Sequence, residues 1–155
     1  MLTRDMFIEN PLNTSAWTFP ILEVLHISGF AIAIGTVALV DFRLLGLGLR
    51  EQTAGQLTKD TSAATLISLS VALFSGLLLY STDPDKFYLN VSFLFKITCL
   101  LLAIVFHYTI HRRVVLADSS PALGRLVAVV SIALWVGVVF GGIFIEFVKP
   151  GLGFD

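Results

Sequence analysis

The sequence predicts an all-α integral membrane protein, an antiparallel four-helix bundle with both termini on the non-cytoplasmic side. Three observations carry that prediction. Of the 155 residues, 56% are hydrophobic and only 14% are charged, and the mean hydropathy is +0.89. The apolar residues gather in four blocks, each near the roughly 20 residues that a bilayer helix needs; three blocks are uncharged and one is interrupted by a single lysine. Short connections separate the blocks, and their cations fall mainly on one side.

The first block, residues 24–40, follows Trp17 and Pro20, an interfacial aromatic and a helix-starting proline, and predicts a helix over about 19–47. The second, 61–82, carries no charge, and Asp60, Thr61 and Ser62 offer N-cap oxygens before it. The third, 87–111, contains one charge, Lys96. The fourth, 126–145, is entered through Ser120-Pro121, an N-cap followed by proline at the first helical position, and ends before Pro150-Gly151. This divides the chain into an N-terminal interfacial segment (1–18), a transmembrane domain (19–149) and a C-terminal tail (150–155). Leu2, Met6, Phe7 and Ile8, mixed with Arg4, Asp5 and Glu9, suit a short interfacial helix or equally a frayed terminus. No basic start, apolar stretch and small-residue cleavage site precede helix one, so the reading includes no removable signal peptide and helix one itself directs insertion.

Orientation follows the cations. Arg43, Arg50 and Lys59 lie between helices one and two, and Arg112, Arg113 and Arg125 between three and four. Only Arg4, Lys86 and Lys149 flank the other side, beside Asp83, Asp85 and Glu146, which places the termini away from the cytoplasm.

Composition also excludes. A net charge of -1 leaves no basic patch for nucleic acid. The single cysteine, Cys99, rules out an internal disulfide and a thiolate-only metal site, and reads as a small apolar filler. There is no Gly-rich phosphate loop, nucleophile elbow or zinc-hydrolase motif, so the chain reads as a non-catalytic subunit rather than an enzyme. Its expected partners are the lipid bilayer and other membrane subunits or copies of itself. Small residues at helical spacing (Gly29 and Ala33; Ser68, Ala72 and Gly76; Gly137 and Gly141) point first to close packing within the bundle.

Ionisable groups inside a spanning helix cost roughly 2.5 to 3.5 kcal/mol each at its centre, which makes them functional candidates. At roughly 100° per residue, Glu23, His26 and Asp41 share one sector of helix one, and Lys96, His107 and His111 share one of helix three. Depth sorts them into two layers. Glu23 and Lys96 lie near the outer end, where they could pair and Glu146 could join them. Asp41, His107, His111 and Arg112 lie near the inner end, with Arg43 close by. Arg43, Arg112 and Glu146 are also placed to snorkel from helix ends. His107 and His111, four apart, have the spacing of two ligands to one metal, a weak signal without a third. His26 within an apolar run requires a partner or a cofactor. A haem bridged by His26 and His107 is disfavoured by a depth mismatch of about 14 Å at 1.5 Å per residue; haem b or another tetrapyrrole held by one histidine, or across a subunit contact, stays open.

The stretch Pro20-Ile-Leu-Glu-Val-Leu-His26-Ile-Ser-Gly29, continuing to Gly35 and Asp41-Phe-Arg43-Leu-Leu-Gly46, resembles the first helix of a family of small bacterial membrane proteins catalogued as a domain of unknown function. The likeness continues through Asp83-Pro84, Asn90-Val-Ser-Phe93-Leu-Phe-Lys96, Phe106-His107, Leu134-Trp135 and Gly141, and covers nearly the whole chain. It implies four helices in a bacterial inner membrane, with matched polar positions at Glu23, His26, Asp41, Arg43, Lys96 and His107. Some members carry arginine after the helix-four glycine, where this chain has Gly142. The helical histidines are also distantly similar to those of copper-resistance membrane domains and small membrane cytochromes b.

Three functions are open at this point. One is a membrane subunit of a redox or electron-transfer assembly, with His26 or His107 ligating a tetrapyrrole. Another is a non-catalytic anchor or assembly subunit without cofactor. The third is a component of proton or metal-ion transport, weakened by an apolar gap around Phe30, Ala33 and Ala103 between the layers.

Overall fold

The computed structural model of the protein describes residues 10–48, 51–117 and 119–148. A 3-10 turn, Pro11–Thr14, leads into α1 (Thr18–Leu45), α2 (Ala54–Thr82), the short α3 (Pro84–Tyr88) and α4 (Val91–Phe106). A π-helical turn, His107–His111, then joins α4 to α5 (Arg112–Leu116), and α6 (Pro121–Phe144) completes the bundle. From α4 through α5 the chain is one rod, Val91–Leu116, so four helices are long and apolar enough to span a membrane. Among the described residues there is no strand.

Local chemistry explains where these helices begin and end. Gly46 closes α1 in the left-handed region (φ 82°), donating to the Arg43 carbonyl at 3.1 Å, while Leu47 donates to that of Phe42 at 2.8 Å. The second helix begins well before the uncharged run. Thr53 Oγ1 accepts from the Gln56 backbone N–H at 3.1 Å and Gln56 Oε1 accepts from that of Thr53 at 3.0 Å, a reciprocal capping box. Lys59 and Asp60 then ride on its exposed side, so the uncharged run marks only the apolar part of the helix. Asp60, Thr61 and Ser62 therefore do not cap it. Thr61 and Ser62 instead donate to the Leu57 and Lys59 carbonyls of their own helix. In α6, Pro121 occupies the first turn as expected, but the Ser120 side chain makes no capping bond.

Asn90 caps α4 by accepting from Phe93 N–H at 3.1 Å, and its amide donates to the carbonyls of Ile145 at 3.0 Å and Val148 at 2.7 Å. One buried side chain thus satisfies both the start of α4 and the end of α6. Asn10 and Asn13 do the same for α2, donating to the carbonyls of Ser81 at 2.7 Å and Thr82 at 3.0 Å. These contacts define a terminal end of the bundle. The connections α1–α2 and α5–α6 lie at the opposite, connector end.

The helices run antiparallel in sequence, with α1 packed chiefly on α2, α4 on α6, α1 on α6, and α5 closing against α2. Lipid supplies no hydrophobic drive between helices, so close approach rests on small residues. A Cβ on Gly29 would lie 2.8 Å from the Ser68 carbonyl and 2.9 Å from Ala72 N; one on Gly141 would lie 2.9 Å from Lys96 Cα. On Gly137 it would meet Cys99 Sγ at 3.0 Å, so Cys99 fills the α4–α6 contact. The stripes read from the sequence thus pack within the bundle. Between the two ends lies an apolar core of Phe30, Ala33, Val37, Leu69, Ala72, Leu100, Ala103, Trp135 and Val138, while large apolar side chains such as Phe74, Leu77, Leu101 and Phe140 face outward. The expected interfacial helix at 1–9, Arg50, and the C-terminal tail with Lys149 fall outside the described residues.

Candidate functional site

Polar side chains do enter the bundle in two layers, but their membership differs from expectation. In the terminal layer the partner of Lys96 is His26. Lys96 Nζ lies 3.2 Å from His26 Nε2, and His26 Nδ1 lies 2.7 Å from the Ala72 carbonyl. The carbonyl can only accept, so Nδ1 carries a proton toward it and Nε2 faces the lysine. Phe30 seats this pair: its ring meets His26 edge-on at 4.9 Å and lies under Lys96 Nζ at 5.4 Å. Two glycines make the space. A Cβ at Gly76 would sit 2.7 Å from His26 Cε1, and one at Gly142 would sit 3.5 Å from Lys96 Nζ.

Two expected members of this layer are absent from it. Glu23 is exposed on α1 and forms no salt bridge among the described residues. Its turn of α1 places the carboxylate outside the Lys96 sector, the angular spread of the predicted face being wide enough to run out of the core. Glu146 is exposed as well, and pairs with Lys86 at 2.7 Å. That pair reaches between α3 and the end of α6, a connection the spacing of spanning helices could not reveal.

The connector layer is more deeply buried. Asp41 is 1% exposed and His111 is fully buried. Asp41 Oδ1 accepts from His111 Nε2–H at 2.7 Å and Oδ2 accepts from Ser131 Oγ–H at 2.7 Å, so three helices meet on one carboxylate. Fixing the proton on Nε2 leaves His111 Nδ1 buried without a hydrogen-bond partner among the described residues. His107 stacks on His111, centroids 5.1 Å apart and planes 27° apart, and its Nδ1 is likewise buried and unpartnered. Such atoms are rare in folded proteins and call for an explanation.

Both histidines sit on the π-helical turn, a form frequent at functional sites. Arg112 follows immediately and lines a narrow cleft with His107, Tyr108, Thr36 and the hydroxyl residues of α2, and makes no salt bridge to Asp41. Arg43 belongs to neither layer: its Nε donates at 2.6 Å to the Gln52 carbonyl and ties α1 to the following connection. Sequence reasoning missed Ser131, although a lone serine in the uncharged run 126–145 was the available signal. It also missed the π turn, for which no residue pattern gives notice.

The residues do not fit a tetrapyrrole as they are packed. Both nitrogens of His26 are engaged and Gly76 lies flush against its ring. The cleft beside His107 holds about 10 Å³, the room of about one water, against roughly 300 to 1,000 Å³ for a cofactor pocket. A larger, mostly apolar cavity of about 240 Å³ between α1 and α6 is lined by Asp41, Phe42, Trp135 and Phe140, and by neither of those two histidines. Among the described residues no three His, Cys, Asp or Glu side chains gather as metal ligands, so His107 and His111 lack the third donor.

Fold and site together define a multi-pass, four-helix membrane protein with internally paired polar layers. The chain belongs to a family of unknown function, DUF6644, whose model matches residues 16–148. No curated protein and no solved structure matches it.

Proposed function

We propose that this chain is a small subunit of a bacterial inner-membrane assembly and carries a proton-accepting site reached from the connector end. The observation behind the reading is the array Asp41–His111–His107, in which two buried imidazoles each keep an unpartnered nitrogen and one is oriented by a carboxylate. Histidine exchanges protons near neutral pH, and intramembrane ionisable chains of this kind mark proton relays. The positive-inside rule turns the connector end, with Arg43, Arg112, Arg113 and Arg125, toward the cytoplasm. Assemblies that couple electron transfer to proton uptake are the class such a site suits.

The array is a one-sided site, not a complete path. Asp41 and His26 are separated by about 22 Å along α1 at 1.5 Å per residue, with the apolar core between them. Other subunits would supply the driving chemistry. The terminal layer favours a structural role instead: Lys96, His26 and the Ala72 carbonyl satisfy one another and fix the register of α1, α2 and α4.

Infrared difference spectroscopy on lipid-reconstituted protein tests the reading. A pH jump should produce carboxyl and imidazole bands that disappear in Asp41→Asn. Bands unchanged in that variant, or no bands in the wild type, would refute it.

A further inference from the structure

The hydroxyl groups of α2 raise a separate question, since Thr58, Thr61, Ser62 and Thr65 form one continuous stripe at helical spacing and line the cleft that ends on His107. Three of them donate to a carbonyl of their own helix: Thr58 to Ala54 at 2.9 Å, Thr61 to Leu57 at 2.8 Å and Ser62 to Lys59 at 2.8 Å. Their oxygen lone pairs therefore remain as acceptors. Thr65 lies 2.8 Å from Thr36 of α1, where one hydroxyl donates to the other and the stripe extends across the interface. A guest must donate to these oxygens, accept from Arg112 and be no larger than about one water.

We propose that this cleft is a water-holding proton inlet that connects the connector end of the bundle with His107. The inference rests on the reading of Asp41–His111–His107 as the proton acceptor, and adds to it the route and the carrier. The stripe starts about 6 Å and ends about 17 Å along α2 at 1.5 Å per residue, so it descends from the helix start toward the buried layer. Water in the cleft donates to the threonine oxygens and meets the His107 imidazole, which lines the same cleft. Arg112 at the same cleft supplies N–H donors to a water there.

The ionisable surroundings of His107 are few. His111, Tyr108 and Arg112 come from its own rod, and Asp41 of α1 acts through His111. The cleft-lining residues of α2 contribute hydroxyls only, and α6 contributes Ser131 against Asp41. The carboxylate orients His111, and His107 is held against it by stacking.

Water-edited solid-state NMR of isotope-labelled protein in lipid bilayers tests the inlet. Magnetisation from water should reach the His107 imidazole much faster than the core methyls of Ala33 and Ala72. In Thr61→Val with Thr65→Val, which keeps side-chain shape and removes the oxygens, the fast transfer should be lost. The single variant Thr61→Val should slow it partially, and an unchanged His111 signal in each variant would show the fold intact. His107 polarised no faster than Ala33 in the wild type, or transfer unaffected by the double variant, would overturn the inlet. If the variant has no effect while the Asp41-dependent infrared bands persist, the inlet fails and the acceptor site stands. Fast transfer that the double variant abolishes, without those bands, would leave a water site and refute the acceptor.

Discussion

At the residue scale the decisive group is Asp41, because one carboxylate joins α1, the π turn and α6 by two bonds of 2.7 Å each. The two bonds are not equivalent. A hydrogen bond to a buried charged group is worth about 1.5 to 3 kcal/mol, whereas interhelical hydrogen bonds in membranes average about 0.6 kcal/mol and reach about 1.7. Asp41→Ala, which removes both bonds, should therefore destabilise the bundle by about 2 to 3 kcal/mol, and Ser131→Ala by about 1 kcal/mol. Reversible unfolding in mixed micelles reads both. Equal losses would mean that the His111 contact is no stronger than an ordinary hydroxyl bond. Asp41 was legible in the sequence because a carboxylate in a spanning helix must be answered by a partner. Its pairing with His111 rather than His107 was not, since both histidines share the predicted sector and only the π turn distinguishes them.

At the element scale, helix faces were legible where glycine and alanine recur, and the contacts made by Gly29, Gly137 and Gly141 follow that pattern. Helix starts were less so. Hydropathy found the apolar part of α2, but the capping box at Thr53 lies beyond it, in polar sequence. Likewise the face containing Glu23 and His26 was assigned by angle alone, and the packing keeps only His26 inside. Glycine at the lysine layer gives a direct test. Gly141→Ala would place a methyl 2.9 Å from Lys96 Cα, with backbone rather than a flexible side chain in its way. Overpacking of this kind costs about 1 to 3 kcal/mol. Gly76→Ala, 2.7 Å from His26 Cε1, should instead displace the imidazole and break the Lys96 contact with less effect on helix separation. Spin-label distances between α4 and α6 should increase in the first variant and not in the second.

At the scale of the whole molecule, the four helices follow from composition, while the division of labour between the two polar layers follows only from their packing. In the terminal layer both nitrogens of His26 are engaged. The connector layer keeps two unpartnered imidazole nitrogens beside a hydroxyl-lined cleft. An apolar core separates the two, and the hydroxyl-lined cleft reaches only the second. The most direct test is nitrogen-15 NMR of the three histidines in lipid bilayers as the bathing pH is varied. The His107 signal should respond to the bathing pH, while His26 keeps its proton on Nδ1 toward the Ala72 carbonyl. A His107 signal that stays unchanged while the protein remains folded, or a His26 signal that moves with it, would contradict the proton-accepting role of the connector layer.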